Sequence, residues 1–222
     1  MSPNPPLSNL LVISYMTLRK VIGLLGLLLP FLVMLGARLL FHTGLEVSLS
    51  AYYHTGMRDV LVGILFGIGC FLGSYKGYDR RDDLAGNLAG VFAVGVALFP
   101  IGRPGAPCGT GCQISSFLHN GFAALLFLTL AYFSLFLFTK TDRTQEPTPR
   151  KLQRNVVYRV CGVTMTACIV LVGVLFVLPD LRAALDKYSP VLWLEALTVG
   201  AFGVSWLTKG EAILKDELSA PS

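Results

Sequence analysis

The segment VIGLLGLLLPFLVMLGARLLF, residues 21–41, decides the fold class, because Arg38 is the only charged residue in it. An α-helix of this length extends about 31 Å, close to the thickness of about 30 Å of a bilayer's hydrocarbon core. Strands of a membrane β-barrel would instead alternate apolar and polar residues over about ten positions. The continuous apolar run therefore predicts a membrane-spanning helix.

Five further apolar segments repeat this pattern, and the chain is 54% hydrophobic and only 14% charged, against about 25% charged in soluble domains. We predict an all-α polytopic membrane protein in which residues 1–222 form a single transmembrane domain. Residues 7–17 are mildly apolar, and they either lie along the membrane surface or extend the first helix. The six predicted spans are residues 21–41, 60–78, 84–102, 117–138, 157–178 and 191–208.

The distribution of lysine and arginine predicts the orientation of these spans. Of the 18 such residues, 13 fall on one side of the predicted membrane and 5 on the other. Because cytoplasmic loops are enriched in Lys and Arg, both termini are predicted to be cytoplasmic, in a bacterial inner membrane. The net charge of +5 then reflects topology and attraction to membrane lipids, and no basic soluble surface indicates a nucleic-acid partner.

The densest polar stretch next to a span is SLSAYYHTGMRD, residues 48–59. If it is helical, Ser50, His54 and Arg58 share one face, because they are four residues apart. Asp59 would then lie about 140° around the helix from His54. A metal chelate of His54 and Asp59 would need a break, for instance at Gly56, so the two interpretations compete.

Two other predicted spans begin on the same outer side, and they bring His119 and Glu195 to a similar depth. An ionisable group inside a span is costly unless it is paired or hydrated. We therefore predict that Glu195 pairs with Arg58 or His54.

These residues suggest a metal-assisted hydrolase of a lipid-like substrate at the outer leaflet. His54, His119 and either Asp59 or Glu195 would bind zinc, which leaves one position for water. The other carboxylate would act as general base, and Ser50 or Arg58 would stabilise the oxyanion. The alternatives are a small transporter with an ion or proton site, and a membrane scaffold without enzymatic activity.

Two spacing patterns predict structural contacts. Cys108 and Cys112 flank Gly-Thr-Gly in an outer loop, where an oxidising compartment favours a disulfide over a metal site. Two pairs of glycines four residues apart predict close helix packing in lipid: Gly63 with Gly67, and Gly86 with Gly90.

Four segments resemble a family of bacterial multi-pass membrane proteins that has no assigned activity: TLRKVIGLLGLLLPF (17–31), SLSAYYHTGMRDVLVG (48–63), NLAGVFAVGVALFP (87–100) and FGVSWLTKG (202–210). The Ser50-x-x-x-His54 element is also similar to that of the alkaline ceramidase and adiponectin receptor superfamily, which are seven-helix zinc amide hydrolases. This resemblance implies that Ser50 and His54 lie at a metal site. The chain departs from the superfamily in having no histidine after His119, so a late His-x-x-x-His pair is missing.

Overall fold

The computed structural model describes residues 7–141 and 147–215 of the chain, and in this part it is helical without a β-strand. Short 3-10 helices occur at Ser50–His54 and Asp186–Tyr188, and one π-helical turn follows α4 at Phe133–Leu137. The α-helices are α1 Leu7–Leu40, α2 Arg58–Gly73, α3 Arg80–Leu98, α4 Thr110–Tyr132, α5 Pro149–Val177, α6 Pro179–Leu185 and α7 Pro190–Lys209.

Four stretches are long and apolar enough to cross a membrane: Tyr15–Leu40, Thr110–Leu137, Pro149–Val177 and Pro190–Lys209. The prediction of an all-α chain with several membrane-spanning helices is confirmed to that extent. α2 has only 16 residues, and α3 begins with the charged sequence RRDD.

Two details of the predicted helix pattern are wrong. The described residues form seven α-helices rather than six, because α6 begins at Pro179, directly after the fifth apolar segment. Proline is tolerated at the first position of a helix, where no N–H is needed. The second helix ends at Gly73 instead of continuing to Tyr78. Residues 7–17 extend α1, which settles the alternative left open for them.

The long helices form a closed ring. Each of α1, α2, α3, α4 and α5 packs against the next, and α7 closes the ring by packing against both α5 and α1. Because the ring helices are antiparallel to their neighbours in sequence, the bundle has two ends. We call the end that carries residues 41–57, 99–109 and 178–189 the His119 end, and the opposite end, which carries Tyr75 and Lys209, the Lys209 end.

Large apolar side chains cover the outside of the bundle. Phe31, Leu35, Val163, Val170 and Leu197 are each more than half exposed. Soluble monomers rarely present contiguous apolar surfaces of this kind to water. A lipid environment accounts for them, in agreement with the membrane-protein prediction.

The closest approach between α2 and α3 depends on glycines. A Cβ atom on Gly90 would lie 2.7 Å from the Gly69 carbonyl oxygen, and one on Gly86 would lie 2.9 Å from the Leu72 carbonyl oxygen. The packing role predicted for Gly86 and Gly90 is confirmed. The role predicted for the other pair is wrong, because a Cβ on Gly63 would meet nothing within 4 Å.

At the Lys209 end, Asp79 begins α3. Its carboxylate accepts the backbone N–H groups of Arg81 and Asp82 and forms an ion pair of 3.0 Å with Lys140. The hydrogen bond from Lys140 is the main reason that the pKa of Asp79 lies below its usual value. The cap fixes where α3 begins, and therefore where its far end meets the His119 end.

Candidate functional site

Ser50 is the first residue of the 3-10 helix Ser50–His54, which folds back into the His119 end of the ring. Tyr52 anchors this helix because it is fully buried in an apolar cluster that includes Leu29, Val33 and Leu192. Ser48 caps the helix by accepting the Ala51 N–H at 3.1 Å. The backbone of Ser50 is therefore held from both sides.

His119 lies on α4 and is buried against the end of α3. Its Nδ1 is 2.7 Å from the carbonyl oxygen of Phe99 and 3.2 Å from that of Val96. The last carbonyls of a helix lack partners within the helix. Pro100 adds to this, because it has no N–H to donate to the Val96 oxygen four residues earlier. His119 thus meets acceptors that the sequence leaves open.

The hydrogen bonds of His119 define its tautomer. Both groups that face Nδ1 are carbonyl oxygens, which only accept, so Nδ1 carries the proton. Nε2 of the neutral ring is then an acceptor, and it lies 2.8 Å from Ser50 Oγ. The Ser50 hydroxyl therefore donates to His119 Nε2. A serine hydroxyl that donates to an imidazole oriented by a third group is the arrangement that activates a nucleophilic serine.

Glu195 supports the same 3-10 helix from α7. Its Oε2 atom accepts the Leu49 N–H at 2.7 Å, and the carboxylate also interacts with the Ser50 N–H. The predicted pairing of Glu195 with Arg58 or His54 is wrong, because backbone donors take that place. Glu195 instead lies beside Ser50, where it holds the backbone of the 3-10 helix.

The other predicted site residues have partners other than Ser50 and His119. The helix is interrupted between His54 and Arg58, so the predicted continuous helical face of Ser50, His54 and Arg58 is wrong. His54 Nε2 donates to the Ile101 carbonyl at 2.8 Å, and Arg58 stacks over Tyr53 at 4.9 Å from the ring centroid. Asp59 is exposed in the first turn of α2, where its negative charge interacts favourably with the helix dipole.

The residues at this end do not fit the predicted zinc site. Among the described residues, no three His, Cys, Asp or Glu side chains are grouped so that they could hold a metal ion. Both ring nitrogens of His119 are already hydrogen-bonded, and Nε2 of His54 is bound to a carbonyl. Zinc stays a prediction without support from this geometry.

The disulfide between Cys108 and Cys112 is confirmed, and it lies beside the site. Its two sulfur atoms pack so closely on Gly102 that a Cβ there would lie 2.9 Å from Cys112 Sγ. Ser116 Oγ accepts the Gly102 N–H at 2.8 Å. These contacts fix the segment that follows α3, whose carbonyls orient His119.

Two cavities meet at Ser50. An apolar cavity of about 60 Å³ extends into the ring and includes His119 in its lining. A second, more polar cavity of about 300 Å³ opens to the surface of the protein and is lined by Arg103, Arg182 and Ser116. Ser50 and Glu195 line both cavities. A molecule with a polar and an apolar part could therefore place the junction between them at Ser50.

Sequence reasoning identified Ser50, His119 and Glu195 as site residues but did not predict the bond between Ser50 and His119. It also missed the Phe99 and Val96 carbonyls. Pro100 was the available signal, since a proline at the end of an apolar helix releases a carbonyl acceptor close to where α4 begins.

Comparison with known proteins adds no relative. No family model, no curated protein and no solved structure matches the chain.

Proposed function

We propose that the chain crosses a bacterial inner membrane six times, with both termini in the cytoplasm. α2 and α3 pack side by side within a ring whose other long helices meet the criteria for a span. The charged residues of α3 lie in its first turn at the Lys209 end, so the rest of the helix is uncharged, with Asn87 as its one polar residue. The excess of Lys and Arg on that side supports a cytoplasmic Lys209 end.

Labelling with a membrane-impermeant maleimide tests this orientation. In a background in which Cys70, Cys161 and Cys168 are replaced by alanine, Asp186→Cys should react in intact cells, because residue 186 is exposed at the His119 end. Lys76→Cys, exposed at the Lys209 end, should react only after the membrane is permeabilised. Reaction of Lys76→Cys but not Asp186→Cys in intact cells would show that the orientation is reversed.

We further propose that the protein is a membrane-embedded serine hydrolase for an ester-containing, lipid-like molecule at the outer leaflet. The observation that carries the proposal is the 2.8 Å hydrogen bond from Ser50 to an imidazole whose other nitrogen is bound to backbone carbonyls. Hydrogen bonding of the second nitrogen fixes the tautomer that can accept a proton, as a carboxylate does in a catalytic triad.

The proposed reaction has two steps. Ser50 Oγ attacks the ester carbonyl while its proton moves to His119 Nε2, and the resulting imidazolium gives that proton to the departing alkoxide. An acyl-serine and a free alcohol are formed. Water then attacks the acyl-serine with His119 again as base, which releases a carboxylic acid and restores the hydroxyl.

The cavities give the substrate its orientation. The acyl group next to the scissile bond fits the apolar cavity beside His119, and the polar part fits the cavity lined by Arg103 and Arg182. Glu195 acts as a positioning residue because it holds the backbone that carries Ser50.

A fluorophosphonate probe tests the nucleophile directly, because it phosphonylates serines that are activated by a neighbouring base. We expect wild-type protein in native membranes to be labelled on Ser50, and Ser50→Ala to lose the label. Ser74→Ala is the matched control, since the Ser74 hydroxyl donates to the Cys70 carbonyl at the opposite end of the bundle. Absence of label on Ser50 in folded wild-type protein would contradict the proposal and favour the transporter or scaffold alternatives.

A further inference from the structure

Two cations are buried at the Lys209 end, far from Ser50. Arg19 on α1 is 7% exposed and Lys209 on α7 is 9% exposed. The Arg19 guanidinium carbon lies 4.4 Å from the ring centroid of Tyr15, and the Lys209 ammonium lies 5.0 Å from that of Tyr78. Neither cation forms an ion pair with a carboxylate of the described residues.

Several buried polar atoms near these cations have no partner. Arg19 Nε, Trp206 Nε1 and the Tyr15 hydroxyl are buried without one, and Lys209 Nζ makes no hydrogen bond within the described chain. Aromatic contacts link the two cations: Tyr75 packs on Arg19 and Trp206, and Phe138 packs on Trp206 and Lys209. The charged groups of Arg19 and Lys209 carry only donors, and an acceptor-only anion satisfies them best.

The surrounding charge also favours an anion. Arg19, Lys151 and Arg154 repel the Lys209 ammonium and Asp82 attracts it, while Arg154 forms an ion pair with Glu211 at 3.4 Å. Asp82 is already bound by Lys140 at 3.1 Å and by the Tyr78 N–H at 2.8 Å. An added negative group would lower the repulsion between these cations.

Gly210 brings the two helices together at this point. A Cβ atom there would lie 3.0 Å from the Lys20 backbone nitrogen and 3.2 Å from Arg19 Cβ. The absence of a side chain lets the end of α7, which carries Lys209, approach α1 beside Arg19.

We propose that Arg19 and Lys209 bind a phosphate group at this end of the bundle. Arg and Lys are the residues that bind phosphate through charge-assisted hydrogen bonds. Basic pockets between the cytoplasmic ends of membrane helices bind the headgroups of anionic lipids. The phosphate of an anionic phospholipid headgroup has this chemistry, and so does free phosphate.

Native mass spectrometry of the detergent-solubilised protein during titration with phosphatidylglycerol measures the binding. Wild-type protein should retain one tightly held lipid, and Arg19→Gln and Lys209→Gln should each weaken its binding by about fivefold or more, from the loss of one cation. Lys20→Gln is the matched control, because Lys20 is the exposed neighbour of Arg19. Equal lipid affinity in wild type, Arg19→Gln, Lys209→Gln and Lys20→Gln would overturn the proposal.

Titration with inorganic phosphate identifies the source of the phosphate group: protection of wild-type protein against thermal unfolding, lost in Lys209→Gln, would support the site with a soluble ligand.

Discussion

Hydrolysis of p-nitrophenyl butyrate by the purified protein is expected to fall by about 10³-fold or more in Ser50→Ala, since no other described side chain bonded to His119 can serve as nucleophile. His119→Gln should lose about 10²–10⁴-fold, which is the contribution of a positioned general base. Glutamine can still hydrogen-bond to Ser50 and to the Phe99 carbonyl, so the loss should reflect the missing base. The measurement is kcat/KM in detergent or in nanodiscs.

The control for a purely structural effect is the stability of the same variants. A single hydrogen bond contributes about 0.5–1.5 kcal/mol, so Ser50→Ala should change the free energy of unfolding only by that amount. Ser74→Ala loses a comparable hydrogen bond to a backbone carbonyl at the opposite end of the bundle and should retain activity. If Ser50→Ala hydrolysed the ester as fast as wild type, Ser50 and His119 would be a structural contact between the 3-10 helix and α4.

The sequence predicts the helical class well, because lipid imposes one simple requirement. Continuous apolar runs must satisfy their own backbone hydrogen bonds, and the segment around Pro30 shows this without reference to the rest of the chain. α2 and α3 are harder to interpret. α2 is short. α3 begins with charged residues, and these are explained only by the Asp79 cap and its ion pair with Lys140.

Ser50, His119 and Glu195, which the sequence analysis grouped together, do lie close to one another. Topology places the beginnings of α2, α4 and α7 at one end, which is enough to bring such residues to one depth. It does not give the rotation of each helix or the break after His54, and these decide which side chains touch. Glu195 was expected to need a charged partner, but backbone N–H groups take that place.

The glycines show the same limit, namely that the sequence does not give the rotation of each helix. Gly63 and Gly86 belong to identical patterns, yet Gly86 packs against a neighbouring backbone and Gly63 faces open space. A spacing of four identifies one face of a helix, and it does not say what that face meets. Gly69, which contacts α3, would have been chosen over Gly63 only with knowledge of the helix rotation.

Gly90→Ala is expected to lower the free energy of unfolding by about 2–3 kcal/mol, whereas Gly63→Ala should change it by less than about 0.5 kcal/mol. The new methyl group of Gly90→Ala would lie 2.7 Å from the Gly69 oxygen and 3.0 Å from the Gly73 nitrogen, both backbone atoms that cannot rotate away. α2 and α3 must therefore separate. Unfolding of both variants in mixed micelles at increasing SDS measures the difference.

The separation of α2 from α3 should also disturb the candidate site, because the carbonyls of Val96 and Phe99 at the end of α3 orient His119. A shift of α3 relative to α4 lengthens these hydrogen bonds and frees the imidazole to rotate away from Ser50. We therefore expect Gly90→Ala to slow fluorophosphonate labelling of Ser50 under conditions in which the protein is still folded, and Gly63→Ala to label at the wild-type rate. Wild-type stability and labelling in Gly90→Ala would show that α2 and α3 do not pack through Gly90, and that the orientation of His119 does not depend on this contact.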